Sequence, residues 1–272
     1  MSFNQQHAII TGGSSGIGKA TAKLLASRGA NLSLIARDPA KLEAAKAEII
    51  HAFPNCRIFT FAADVADRTQ STQAIAAAIA QQGAPDLLLT SAGIAHPGYF
   101  QALPLEIFER TMAINYFGTL YCIKAALPSM ESRKKGSIVI ISSGAGLIGV
   151  YGYTPYSPSK FALRGLAESL RGELKVAGVH IGIVYPPDTD TPQLAEEKKT
   201  KPLETQKITE SAEMWTAENM AIAIVKGIEK KRFAIAPGLE MGILYWLNSL
   251  ITPLLNWQFD QIVAKVRAGQ QS

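Results

Sequence analysis

Short apolar runs recur along the chain, and helical patterns separate them. The runs are HAIIT (7–11), NLSLIA (31–36), RIFTFA (57–62), DLLLT (86–90), SIVIIS (137–142), HIGIVY (180–185) and FAIA (233–236). Between them, stretches rich in Ala, Leu, Lys and Glu at 16–29, 39–52, 67–82, 104–131 and 157–177 carry the helical period. Runs that are apolar at nearly every position suit strands buried on both faces. Strand and helix in alternation predict an α/β fold: a doubly wound, seven-stranded parallel sheet with right-handed crossovers and helices on both faces. No repeat or low-complexity linker interrupts the pattern, so residues 1–240 are expected to form one domain.

Two stretches depart from the alternation. Residues 186–214 are polar, charged and proline-bearing. They are too long for an ordinary connection and are expected to form a lid over a site. Residues 241–257, MGILYWLNSLITPLLNW, carry no charge and follow the last expected strand. Residues 241–272 are therefore set apart as an apolar C-terminal segment.

At 272 residues and 47% hydrophobic, the chain can bury a large core. Its 27 Lys and Arg against 22 Asp and Glu leave a formal charge of +5. That mild excess suits an anionic small ligand or anionic lipid as well as a nucleic acid; no nucleic-acid motif accompanies it, and no nucleic-acid partner is expected. Cys56 and Cys122 lie in apolar runs without CxxC or Cys/His spacing. Reduced core thiols, no metal site and a reducing, cytoplasmic setting are expected. The opening MSFNQQHAIITGG leads almost directly into a strand, which does not fit a signal or transit peptide.

The first strand runs into TGGSSGIG (11–18), which opens the first helix. Gly12, Gly16 and Gly18 permit a tight turn and close backbone approach. Ser14, Ser15 and Ile17 then sit where free N–H groups at a helix start face a pyrophosphate. The spacing is Gly-x3-Gly-x-Gly. At the end of the second strand, in LIARD, an acid would hold the ribose of NAD, whereas an arginine accepts the 2′-phosphate of NADP. Ala36 is neutral and Arg37 follows; Asp38 is the rival acid, but its place before Pro39 suits a helix N-cap. NADPH is the expected cofactor. Asp64, with Val65 in FAADV, either bonds the adenine amino group or caps a helix. In TSAGI (90–94), Ala92 and Gly93 put small residues where a nucleotide lies close to backbone.

YSPSK (156–160) sets Tyr156 and Lys160 four residues apart, on one face of a helix. Tyrosine, with a reference pKa of about 10, is a poor acid at neutral pH; a neighbouring lysine cation is expected to lower it. Ser143, at the end of IISS, can steady a substrate oxygen as charge develops. Asn115, in RTMAINYFGTLY, is an unfavourable residue inside a helix and is expected to hold a water that relays protons to Lys160.

TGGSSGIG, TSAG, Asn115, Ser143 and YSPSK stand in the order and spacing of the short-chain dehydrogenase/reductase family, which the chain resembles over roughly residues 5–240. The resemblance implies a Rossmann fold, a catalytic tetrad of Asn115, Ser143, Tyr156 and Lys160, with Tyr156 and Lys160 also touching the cofactor, and pairing of long helices into a homo-oligomer. It implies that the loop after the sixth strand meets the nicotinamide carboxamide through Pro186, Thr189 and Thr191. Ser91 stands where the family has an asparagine, and Pro187 where it has a glycine; the proline stiffens that loop.

The run YPPDTDTPQLAEEKKTKPLET (185–205) resembles the 3-ketodihydrosphingosine reductase branch of that family. This implies NADPH-dependent reduction of a long-chain 3-keto-2-amino alcohol to sphinganine. Asp188 or Asp190 would then face the substrate ammonium, or cap the next helix. Two other readings fit the same motifs: a reductase of another hydrophobic ketone, such as a steroid or retinoid, and a non-catalytic NADP(H) sensor. For the apolar segment three roles are open: docking on an anionic membrane through 241–264, a subunit interface, or a substrate wall. The first would place the protein peripherally on the cytoplasmic face of a membrane.

Overall fold

The computed structural model describes residues 3–210 and 213–270. Its strands are β1 (His7–Thr11), β2 (Asn31–Ala36), β3 (Ile58–Ala62), β4 (Leu87–Thr90), β5 (Gly136–Ile141), β6 (Val179–Val184), β7 (Thr189–Asp190), β8 (Trp215–Thr216) and β9 (Ala234–Ile235). Seven of them form one sheet in the order β3-β2-β1-β4-β5-β6-β9, every pair parallel. The expected seven-stranded doubly wound fold is the one observed; β7 and β8 pair separately. The chain winds outward from β1 to β3, then returns to the other side of β1 at β4. The reversal opens a crevice at the carboxyl ends of β1 and β4, where ligands of such sheets bind.

Continuous apolar strands are explained by two cores, one on each face. Ile9, Leu88, Ile138 and Ile140 point one way, while Ile10, Leu87, Leu89 and Val139 point the other. Adjacent residues of a strand face opposite sides, so burial on both leaves no polar alternation to see. The first face is covered by α3 (Arg68–Gln82), α5 (Gly118–Ser132) and α6 (Tyr156–Val176). The second is covered by α1 (Gly16–Ala26), α2 (Pro39–Ala52) and α9 (Ala217–Glu229). Helix α9 is additional to the five expected from sequence. Thr216 caps it by accepting from the Asn219 N–H, and Met220, Ile224, Val225 and Ile228 form its buried stripe.

The lid region 186–214 holds two short helices, α7 (Pro192–Glu197) and α8 (Leu203–Thr209). Thr191 and Pro192 start α7 as N-cap and first helical residue. The last helix, α10 (Gly238–Gln270), runs 33 residues with Pro253 inside. It begins at Gly238, so the division expected at 240/241 lies within its first turn, and Met241 and Leu244 join the core cluster. Among the described residues no helix is long and apolar enough to cross a membrane.

The single helix expected over 104–131 is α4 (Leu105–Met112) and α5 joined by a π-helical turn, Ala113–Phe117. Asn115 lies inside that turn and is fully buried. Its amide donates to the Ile94 carbonyl at 3.0 Å and to the Ser159 hydroxyl at 2.9 Å, and its oxygen accepts from the Ile94 N–H at 2.9 Å. One side chain thus ties the loop after β4 to the helix turn and to the start of α6. The local departure from α geometry is compatible with functional sites elsewhere in proteins; here it aims the amide. Asn115→Ala should leave two partly buried backbone groups of Ile94 without their partner and lower stability by on the order of 2 kcal/mol. Urea unfolding checks this, and an unchanged midpoint would contradict it.

Candidate active site

The site is assembled where the loops after β1, β4, β5 and β6 converge on one cavity of about 680 Å3. Gly12 has φ +69°, and a Cβ there would come within 2.8 Å of the Ala92 nitrogen. The glycine loop and the Ser91–Ala92 turn are therefore in backbone contact, reinforced by the Ala92 N–H donating to the Thr11 hydroxyl at 3.2 Å. A Cβ on Gly18 would collide with the Gly12 carbonyl. Ser91 replaces the family's asparagine without disturbing this contact. Helix α1 opens with Ser15 as an extended N-cap that makes no side-chain cap bond, and its first turn holds no acid. Free N–H groups and a positive dipole end fit a dinucleotide phosphate, and Ser14, Ser15, Gly16 and Ile17 line the cavity there.

Arg37 is exposed at the cavity rim. The rival Asp38 is spent as the N-cap of α2, accepting from the Lys41 N–H at 3.1 Å. Asp64 does not cap a helix; Asp67 caps α3, accepting from the Thr69 and Gln70 N–H groups. Asp64 Oδ1 accepts from the Ala66 N–H at 3.0 Å, closing the turn, while Oδ2 pairs with Arg110 at 2.5 Å; the residue still lines the cavity beside Val65. Ala92 and Gly93 line it from β4, and a Cβ on Gly93 would meet Lys160 Nζ at 3.6 Å. The strand-four glycine leaves the space beside that ammonium open.

Tyr156 and Lys160 begin α6 and are buried, at 8% and 5% exposure. The side chains of Ser143 and Gln193 line the cavity with Tyr156 and favour ionisation of its hydroxyl. Ser143 is fixed as the cap of a short turn, accepting from the Ala145 N–H at 3.2 Å. Lys160 Nζ donates to the Ile141 carbonyl at 3.0 Å and lies 5.4 Å from the Tyr156 ring centroid. Burial brings Lys160 down to about 8, against the opposing negative charge of Glu197. Burial likewise pushes Tyr156 well above the usual tyrosine range; the Glu197 charge adds to this, and Ser143 and Gln193 oppose it. The sequence-based expectation that Lys160 lowers the phenol is corrected here: the protein alone raises it, because desolvation disfavours the phenolate. Tyr156 is thereby held as a neutral acid. The Asn115 side chain, expected to hold a relay water, spends its three hydrogen bonds on Ile94 and Ser159.

The loop after β6 forms the floor. Pro186 accepts from the Gly144 N–H at 3.0 Å, and the Thr189 hydroxyl donates to the Pro187 carbonyl at 2.9 Å. Thr191 caps α7 through the Leu194 N–H at 3.3 Å, and its methyl stands 3.2 Å from where a Cβ on Gly16 would sit. Lid and phosphate loop thus touch. Asp188 lines the cavity, with Lys201 Nζ 3.9 Å from its carboxylate. Asp190 is exposed and outside the lining, since alternation along β7 turns Thr189 inward and Asp190 outward. Sequence reasoning missed Gln193 and Glu197, which α7 carries into the cavity. The Thr-Pro helix start at 191–192 is the signal that points to them.

Helix α10 closes the cavity's remaining side. Met241, Leu244, Ile251, Leu255, Phe259 and Ile262 face inward and line it. Asn248 on the same stripe donates to the Leu147 carbonyl at 2.5 Å. At the far end, buried Glu204 of α8 accepts from the Tyr99 hydroxyl at 2.9 Å and pairs with Arg267 at 3.4 Å, fastening α10 to the lid. Of the three roles open for the apolar segment, its inner face is a cavity wall.

Residues 6–202 match the short chain dehydrogenase family. The chain is 40% identical over 257 residues to a Danio rerio 3-dehydrosphinganine reductase, covering 93% of this chain and 77% of that one. It is 42% identical over 251 residues to the Bos taurus 3-ketodihydrosphingosine reductase, covering 91% and 76%. The crystal structure of levodione reductase superposes with a TM-score of 0.79 at 27% identity, covering 86% of this chain and 95% of that one. A short chain dehydrogenase/reductase from Burkholderia phymatum in complex with NAD shares the fold, with a TM-score of 0.78 at 24% identity over 86% and 89% of the two chains. With the glycine cradle, the uncapped α1 terminus and the buried Ser143–Tyr156–Lys160 group in one cavity, the chain belongs to the short-chain dehydrogenase/reductase family of nicotinamide-dependent oxidoreductases.

Proposed function

We propose that this protein reduces 3-ketodihydrosphingosine to sphinganine with NADPH. The observation that carries the reading is the joining of a ketone-reducing Ser143–Tyr156–Lys160 group to an apolar cavity wall built by α10. The similarity to 3-ketodihydrosphingosine reductases extends over more than nine-tenths of the chain and so reaches into that helix. An alkyl tail is held by burial against Leu244, Ile251, Leu255 and Phe259. When bound, the nicotinamide supplies hydride to the carbonyl carbon.

This chain's residues do the rest. The Ser143 and Tyr156 hydroxyls take the ketone oxygen between them. Tyr156, kept protonated by its burial, hands its proton to that oxygen as negative charge develops. Lys160, charged below about pH 8, sits against the phenol ring and favours the charge left there. Arg37 reads the 2′-phosphate, because Asp38, the acid that would favour NAD, is committed to capping α2.

The outer face of α10 supports a peripheral membrane position for the protein. Leu239, Trp246, Leu247, Leu250, Leu254 and Trp257 are exposed, Trp246 at 80% and Trp257 at 60%. No charge interrupts residues 241–259. Ile243 belongs to both faces, half-exposed yet lining the cavity. The stripe therefore docks on the surface of an anionic lipid membrane, with the cavity mouth at the bilayer and the basic run Lys230–Lys231–Arg232 preceding the helix. A lipid tail can then pass from bilayer to cavity along one helix.

NADPH oxidation with 3-ketosphinganine, beside a panel of steroid and retinoid carbonyls, tests the activity. Tyr156→Phe should keep NADPH binding and lose about 10²–10⁴-fold in kcat; full turnover by this variant, or turnover of the steroid panel alone, overturns the reading. Arg37→Ala should weaken NADPH by about tenfold or more while leaving NADH much less affected; parallel losses for both would remove Arg37 from 2′-phosphate recognition. Trp246→Ser/Trp257→Ser should reduce co-sedimentation with phosphatidylserine-containing vesicles. Equal sedimentation of variant and parent would argue against docking through this face.

A further inference from the structure

Glu197 is a buried carboxylate in the wall of the catalytic cavity, at 7% exposure. Its Oε2 accepts from the Tyr153 hydroxyl at 2.7 Å, and its Oε1 accepts from the Gln193 amide at 2.9 Å. Gln193 in turn lines the cavity with Tyr156 and eases ionisation of its hydroxyl. The carboxylate therefore stands near the proton donor, and the Tyr153 and Tyr156 rings lie 5.6 Å apart. Among the described residues no lysine or arginine forms an ion pair with Glu197. The nearby Lys201 is turned to Asp188 at 3.9 Å and to the Thr209 hydroxyl at 3.1 Å, while Lys160 donates to Ile141. A buried anion with no cation in contact is costly; Lys160 acts on it only from a distance, and its two neutral hydrogen bonds orient it.

We propose that Glu197 is the receptor for the substrate's ammonium group. The inference rests on the amino ketone reading above. In such a substrate the ammonium is on the carbon next to the carbonyl, so its receptor must lie beside Tyr156, where the ketone oxygen is held. Glu197 meets that condition. Asp188 already has a cation beside it, and Asp190 faces solvent. The arrival of a cation also removes an electrostatic burden: the Glu197 charge acts against ionisation of Tyr156, and an ammonium beside it cancels that effect as the phenol gives up its proton. A ketone of equal length without the amine leaves the carboxylate unpaired and the burden in place. The enzyme thus prefers the amino ketone, and Glu197 sets the preference.

The test compares the holoenzyme and two variants on 3-ketosphinganine and on its deaminated analogue, each with NADPH. In the parent, kcat/KM favours the amino ketone. Glu197→Gln, which keeps the shape and most hydrogen bonds, should reduce that preference by about tenfold or more. Glu197→Asp, which keeps the charge, should retain more of it. NADPH titration of each variant reports that the fold and phosphate site are intact. Equal loss on both substrates or an undiminished preference in Glu197→Gln, or a preference in Glu197→Asp no greater than in Glu197→Gln, overturns the role of Glu197 and leaves the amino ketone reading standing. Failure of the parent to reduce either ketone while binding NADPH overturns that reading and the inference with it.

Discussion

The hydrogen bonds of the Asn115 amide hold the catalytic edge of the sheet in one arrangement. The amide reaches the loop after β4 through Ile94 and the first turn of α6 through Ser159, whose hydroxyl donates to the Tyr156 carbonyl at 2.6 Å. The same loop after β4 is pressed against Gly12 at backbone distance. Phosphate loop, strand-four turn and catalytic helix are thus positioned from one buried side chain outward. Buried polar groups that are all satisfied specify geometry because any displacement strands a donor or an acceptor. The π-helical turn is the local adjustment that brings the amide into line.

Burial then sets the chemistry that this geometry holds. Tyr156 and Lys160 sit side by side in the same cavity wall, yet desolvation moves them in opposite senses, the phenol up and the ammonium down to about 8. Both shifts favour neutral forms. The protein therefore presents a protonated tyrosine to an oxygen that becomes anionic, which is the state reduction needs. Ser143 and Gln193 offset part of the burial effect. Glu197 acts the other way, its charge weighing against ionisation of the phenol.

Helix α10 has two apolar faces. At about 1.5 Å per residue, its 33 residues extend ~50 Å. One stripe walls the cavity and the opposite stripe is exposed and apolar. Fastening at Leu147 through Asn248, and at Glu204 through Arg267, holds it against both the body and the lid. An element with two apolar faces is a poor solution for a fold alone, since one face gains nothing from folding; that exposed face is the ground for the membrane docking proposed above.

Much of this was legible in the chain as written. Alternating apolar runs and helical periods locate the strands of the sheet to within about a residue, apart from shortening at β9, because backbone pairing and two-sided burial leave a dense local signature. Gly12, Gly16 and Gly18, the Asp38–Pro39 helix start, and Tyr156 four residues before Lys160 are readable for the same reason: each depends on neighbours in sequence. Other features depend on which faces meet. Asp190 turns outward while Glu197, only seven positions on, turns into the cavity. The inner stripe of α10 becomes a wall only when the body lies beneath it, and α9 counts as a core helix once it is packed on the sheet. The sign of the Tyr156 shift was likewise beyond the sequence, because sequence spacing tells of a neighbouring charge but not of the water excluded around it. Periodicity and short-range spacing are properties of the chain; orientation, desolvation and the pairing of distant charges arise only when distant segments pack together.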